Sequence, residues 1–181
     1  MLSLCRINLL ILLLLSFILG GCSGYRLVTK PDYLQNYSTI YIPPWTNYTS
    51  EPKLGELLAY YLRLKFSEGG FLIPVFDKKK ADLILKGKVR QIYFEPVSYD
   101  TFLKTKERKI SFRGDYELID RHTGKVIFKK SISRYQIYRV LEDVGKTLDP
   151  GRQEALRLLA QDVSELIFQA LFLDAPTSTS P

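Results

Sequence analysis

Two sets of side chains in this 181-residue chain could do chemistry. The first is a single thiol, Cys22, placed directly after Leu19-Gly20-Gly21. Small residues before a cysteine let extended backbone enter a peptidase groove, and the thiol after them can then carry a diacylglyceryl group. The second is a set of cations. Lys104, Lys106, Arg108 and Lys109 crowd one loop end, and Lys146 sits in a later loop. Ammonium groups on a loop meet phosphate at little steric cost, and a guanidinium can hold it with two parallel hydrogen bonds. The same residues also suit the plainer role of solvated surface on a basic protein. Lys86, Lys88 and Arg90 alternate along a strand, where a ligand would have to lie flat on the sheet.

No catalytic constellation accompanies them. The only histidine, His122, falls in a turn, and Cys5 and Cys22 are the only thiols. A nucleophile elbow, a phosphate loop and a His-Glu-x-x-His helix are all missing from the sequence. Glu142-Asp143 reads as a solvated acidic pair rather than a metal site, and Gly69-Gly70 as a helix stop. No enzyme activity and no cofactor are expected. The sequons at Asn36 and Asn47 read as loop residues.

The setting of Cys22 decides what its thiol is for. Arg6 precedes an apolar run from Leu9 to Leu19. That run matches the core of an export signal and is shorter than the roughly 20 residues needed to span a bilayer. Leu19-Gly20-Gly21-Cys22 closing such a core resembles the lipobox of bacterial lipoproteins. Residues 1–21 are therefore expected to be a signal peptide. Acyl chains on Cys22 contribute roughly 0.8 kcal/mol per buried CH2 and hold the chain to a membrane. With Cys5 removed and Cys22 acylated, no disulfide can form, and one hydrophobic core must hold the fold. The formal charge of +7 suits anionic partners. Export argues against nucleic acid and leaves lipid headgroups or phosphorylated glycolipid.

The elements that would position these residues follow from periodicity. Residues 22–38 read as a lipidated tether. Thr39 to Pro43 is a short strand stopped by Pro43-Pro44. Ser50 is a candidate cap for a helix starting near Glu51-Pro52, with Leu54, Leu57, Leu58, Tyr61, Leu62 and Phe66 as its apolar stripe. Phe71 to Phe76 is an edge strand because of Pro74. Ala81 to Glu95 alternates as a long strand, with Leu83, Leu85, Val89 and Tyr93 on one face. Residues 97–109 read as a polar loop. A strand from Lys109 to Asp120, a turn at 120–124 and a strand from Lys125 to Tyr138 follow. Asp149-Pro150 opens a final helix with Leu156, Leu159, Ala160, Val163, Leu166, Ile167, Ala170 and Leu171 on its stripe. The last residues, 174–181, form a Pro/Ser/Thr tail expected to be disordered. The predicted fold is one α+β domain over 39–173, a two-layer sandwich. Two amphipathic helices pack on one face of a roughly four-stranded mixed sheet.

Several stretches in this order resemble the lipopolysaccharide-assembly lipoprotein family, LptE. They are Cys22-Ser23-Gly24-Tyr25-Arg26-Leu27, Ile40-Tyr41-Ile42-Pro43-Pro44, and Ala81-Asp82-Leu83-Ile84-Leu85-Lys86-Gly87-Lys88-Val89. Asn47, the first helix ending at Gly69-Gly70, Tyr116-Glu117-Leu118, the turn Asp120-Arg121-His122-Thr123-Gly124-Lys125-Val126 and the long final helix complete the set. Ser23 departs from the family pattern, which commonly has Gly directly after the cysteine. The resemblance implies an outer-membrane lipoprotein that plugs the large β-barrel LptD and binds lipopolysaccharide. Given such a phosphorylated glycolipid, the concentration of cations and the basic net charge make Lys104, Lys106, Arg108, Lys109 and Lys146 the residues expected to meet the phosphates of lipid A. A different class, an auxiliary lipoprotein of an ABC exporter or secretion channel, would share the lipobox and a small α+β domain.

Overall fold

The computed structural model describes residues 29–99, 101–102, 104–140 and 149–173. Cys22, Lys146, Glu142-Asp143 and the tail lie outside them. Six strands form one mixed sheet: β1 (Thr39–Tyr41), β2 (Thr46–Asn47), β3 (Ile73–Val75), β4 (Leu83–Tyr99), β5 (Thr105–Asp120) and β6 (Val126–Arg139). Two helices accompany it, α1 (Leu54–Gly69) and α2 (Pro150–Phe172). The strand order is β3-β1-β4-β5-β6, with β2 paired to β4 further along. The expected count of four becomes six. Pro43-Pro44 splits the first strand into two short pieces, and both pair with β4, at Ile40↔Leu83 and at Thr46↔Lys88. Pairings among β1, β2, β3 and β4 are parallel, whereas β4, β5 and β6 form an antiparallel meander.

The helices pack on each other, and one core joins them to the sheet. Leu85, Val89, Ile110, Phe112, Tyr116 and Leu118 from the sheet meet Leu58, Leu62 and Phe66 of α1 and Leu159, Val163 and Ile167 of α2. The sequence expects Ser50 to cap α1, but the helix starts at Leu54 behind Lys53, a non-glycine residue at φ 60°. It ends at Gly70, which takes the left-handed conformation at φ 68°. Asp149 caps α2 as its Asp-Pro pair predicts, accepting from the amides of Gly151 and Arg152. The tether expected over 22–38 reaches the domain early. Leu34 is fully buried, and the Tyr33 hydroxyl donates to the Leu171 carbonyl.

A register shift between Val89 and Gln91 corrects the expected face of β4. Such a bulge turns every later side chain to the opposite face. Ile92 and Phe94 therefore pack against the core, and Tyr93 is 55% exposed on the far face. Trp45, just after Pro43-Pro44, is buried over Gly87. A Cβ on Gly87 would lie 1.9 Å from the Trp45 ring, so only glycine admits the indole there.

Candidate functional site

The segment expected as a dozen-residue loop, 97–109, is mostly a continuation of the β4–β5 ladder. Pro96 pairs with Arg108, Ser98 with Glu107 and Tyr99 with Thr105, so only a short turn remains. The change of element redistributes the predicted cations, because neighbours on a strand point to opposite faces. Lys109 faces away from the helices, where its ammonium lies 2.8 Å from Glu95. Arg108 is on the helix side, in line with Ile110 and Phe112 and opposite Tyr138. Burial first, then the charge of Asp149, raises the Tyr138 phenol above its ordinary value, and Arg108 offsets part of the rise. Lys106 is on the same side and exposed, while Lys104 is exposed at the turn.

Lys146 lies outside the described residues, but both flanks of its segment are placed. The Val140 amide donates to the Lys106 carbonyl at 3.0 Å. At the other flank a Cβ on Gly151 would lie 2.4 Å from the Arg139 carbonyl, so the first turn of α2 abuts the end of β6. Val140 and the first turn of α2 thus both lie at the outer end of the hairpin that carries Lys104 and Lys106.

Sequence reasoning missed the apolar half of this hairpin end. Val97, Tyr99 and Phe102 are exposed, Phe102 at 81%. Cations beside exposed apolar groups make an amphiphilic surface, suited to a ligand that has both phosphates and hydrocarbon. The alternation Val97-x-Tyr99 is the signal that could have revealed it.

A second basic region, Lys86, Lys88, Arg90 and Lys129, lines a cleft of about 430 Å³ rimmed by Pro43 and Pro44. Here carboxylates answer the cations. Lys86 opposes Glu117 and Lys88 opposes Asp115 across the strands. Arg90 Nε lies 2.7 Å from Asp115, which also accepts from Ser131 Oγ at 2.8 Å. The bond from Arg90, then that from Ser131, holds the Asp115 carboxyl below the usual carboxylate range. The face reads as a cross-strand charge ladder.

The motif residues are structural stitches. Asp82 accepts from the amides of Ser38 and Thr39 at 2.8 and 2.9 Å, tying the start of β1 to β4. Asp120 accepts from the amides of His122 and Thr123 and from the Tyr37 hydroxyl. Gly124 completes that turn at φ 71°. Among the described residues no cluster of His, Cys, Asp and Glu could hold a metal ion. No helix among them is long and apolar enough to cross a membrane.

The family model for lipopolysaccharide assembly, LptE, matches residues 37–171. The chain belongs to the LptE family. That match covers the sheet and nearly all of both helices, so the lipopolysaccharide-assembly lipoprotein anticipated from motif order is the family found. No curated relative matches the LptE-family chain by sequence. Among solved structures it is similar to the PelC dodecamer from Paraburkholderia phytofirmans, at 16% identity and a TM-score of 0.55, covering 80% of this chain and 94% of that one. It is also similar to an uncharacterized lipoprotein B from Nitrosomonas europaea, at 15% identity and a TM-score of 0.53, covering 85% and 94%. At these identities the likeness is one of fold.

Proposed function

We propose that this LptE-family chain is an outer-membrane lipoprotein, anchored through lipid on Cys22. On this reading it binds lipopolysaccharide and serves as plug and assembly partner of the β-barrel LptD, placing lipopolysaccharide in the outer leaflet. The observation that carries the reading is the family match across 37–171. The amphiphilic hairpin end supports it. Lys104 and Lys106 stand exposed where Val97, Tyr99 and Phe102 offer apolar surface. The flanks of the Lys146 segment meet the same end. Arg108 serves from a half-buried position, and Lys109 would have to leave Glu95 to join.

Purification of the full chain from detergent-extracted outer membranes tests the partnership. A stable complex with LptD is expected. Recovery with an ABC exporter or secretion channel instead would replace this reading with the auxiliary-lipoprotein one.

A further inference from the structure

β6 is the last strand of the sheet, and its outer edge pairs with no strand among the described residues. Its 14 residues make a long open edge. An unpaired edge displays a row of amides and carbonyls ready for another strand, and native proteins blunt it by shortness, proline, bulges or charge. β6 is neither short nor interrupted by proline, and its one register shift lies at its start, between Phe128 and Val126. It does carry charge, all of one sign along the strand: Lys129, Lys130, Arg134 and Arg139. Neighbouring elements answer part of it, Asp162 at 2.8 Å from Arg134 and Glu107 at 3.8 Å from Arg139, and Lys129 opposes Glu117 across the strands. Pairing β6 with β6 of a second copy would set cation against cation. Lys130 and Arg134 oppose Tyr116 and Phe112 and so lie on the helix side, whereas Lys129 and Arg139 lie on the far face, where they favour acidic side chains on an added strand.

The neighbouring helix is arranged to cover one more strand. The buried stripe of α2 runs through Leu159, Val163 and Ile167. A second stripe, Leu166, Ala170 and Leu173, is spaced by four and three residues and so falls on one side of the helix. It borders a groove of about 330 Å³ whose other wall is residues 130–133 of β6. Leu173 is 57% exposed there. Ile132 opposes Gly114, which puts its side chain on the helix side of the sheet. A strand added at the usual spacing of about 4.8 Å beyond β6 would lie beneath this stripe. Its alternate side chains would then point either at Leu166 and Leu173 or to the far face, beside Lys129.

We propose that the open edge of β6 and the Leu166–Leu173 stripe of α2 form a strand-addition site for an extended segment of a partner protein. That segment alternates apolar and acidic residues. Backbone hydrogen bonds to 130–133 supply the affinity, and the groove and the cations select the side chains. Glycolipid binding at the hairpin end is not required for it.

The test uses the full chain, isotopically labelled, in detergent micelles. The probe is a capped octapeptide alternating valine and glutamate, and the control has lysine in place of glutamate. The expected result is saturable amide shifts confined to the middle of β6 and the last turns of α2. Slowed hydrogen exchange of the outward amides should accompany them, with no response to the lysine peptide. Leu166→Glu and Lys129→Glu are partly or fully exposed positions. Each should weaken the peptide at least about tenfold while the rest of the spectrum is unchanged. No shift at this edge up to millimolar peptide, or an equal response to the lysine peptide, would overturn the proposal. So would edge protection that grows with protein concentration alone, which would assign the edge to a second copy.

Discussion

At the scale of single residues, the positions that most resemble the family hold the fold together. Asp82 and Asp120 each gather backbone amides, and both carboxyls are held below their ordinary range. For Asp82 the amide of Ser38 is the first cause, and for Asp120 the amide of Thr123. A depressed carboxyl stabilises the fold above its ordinary pKa of roughly 4 and loses that contribution as pH falls through the lowered value. The melting temperature should therefore drop below about pH 4, and Asp82→Asn should lower it at neutral pH while flattening the acid slope. Thermal melts between pH 7 and pH 2 check this, and an acid slope unchanged in Asp82→Asn would remove Asp82 from the account. Gly87 works by absence. Trp45 occupies the space of its missing Cβ, so Gly87→Val should overpack the site, cost about 1–3 kcal/mol and lower the melting temperature. These contacts were not legible in the sequence. Tyr-Ile-Pro-Pro-Trp announces a turn, but nothing local says that the indole returns over a glycine about forty residues away.

Helices and long strands, by contrast, were legible, because each carries its own period. The stripe of α2 and its Asp-Pro cap predict its start and buried face. Ile167 is fully buried. Ile167→Asp should unfold the domain or lower its melting temperature sharply, since an unpaired carboxylate in a core costs several kcal/mol, and an unchanged melt would contradict the packing described. Two features escaped. The bulge at Val89/Gln91 changes the face of Tyr93 without changing composition. The hairpin end hides because Lys104-Thr105-Lys106-Glu107-Arg108-Lys109 is polar on both faces, and a strand with neither face wholly buried has no hydrophobic alternation to show. That misreading matters for the ligand. Read as a loop, it pools Arg108 and Lys109 with Lys104 and Lys106. Built as a ladder, it divides them between two faces. Lys109→Glu, next to Glu95, should consequently weaken lipopolysaccharide binding less than Lys106→Glu does, a comparison that one titration series settles.

For the whole molecule, the class of fold and the family were readable from motif order along the chain. The count of strands was not, because β2 is only two residues long and has no period to show. In the proposed account Cys22 and the hairpin end have different tasks. Cys22 holds the domain to the membrane, and Cys22→Ala should yield an unacylated or uncleaved product, as mass spectrometry of the N-terminus would reveal. The hairpin end meets the glycolipid. Its charged contacts contribute about 1.5–3 kcal/mol each where desolvated and far less where exposed, so their joint effect depends on salt. The measurement that bears most directly on the central claim is the affinity of the full chain for lipopolysaccharide across a salt series. Wild type is compared with Lys104→Glu/Lys106→Glu/Arg108→Glu, and folding of the variant is verified by its melt. The account predicts wild-type binding that falls with added salt, and a variant that stays folded but binds at least about tenfold more weakly. Equal affinities in both proteins, unmoved by salt, would contradict it.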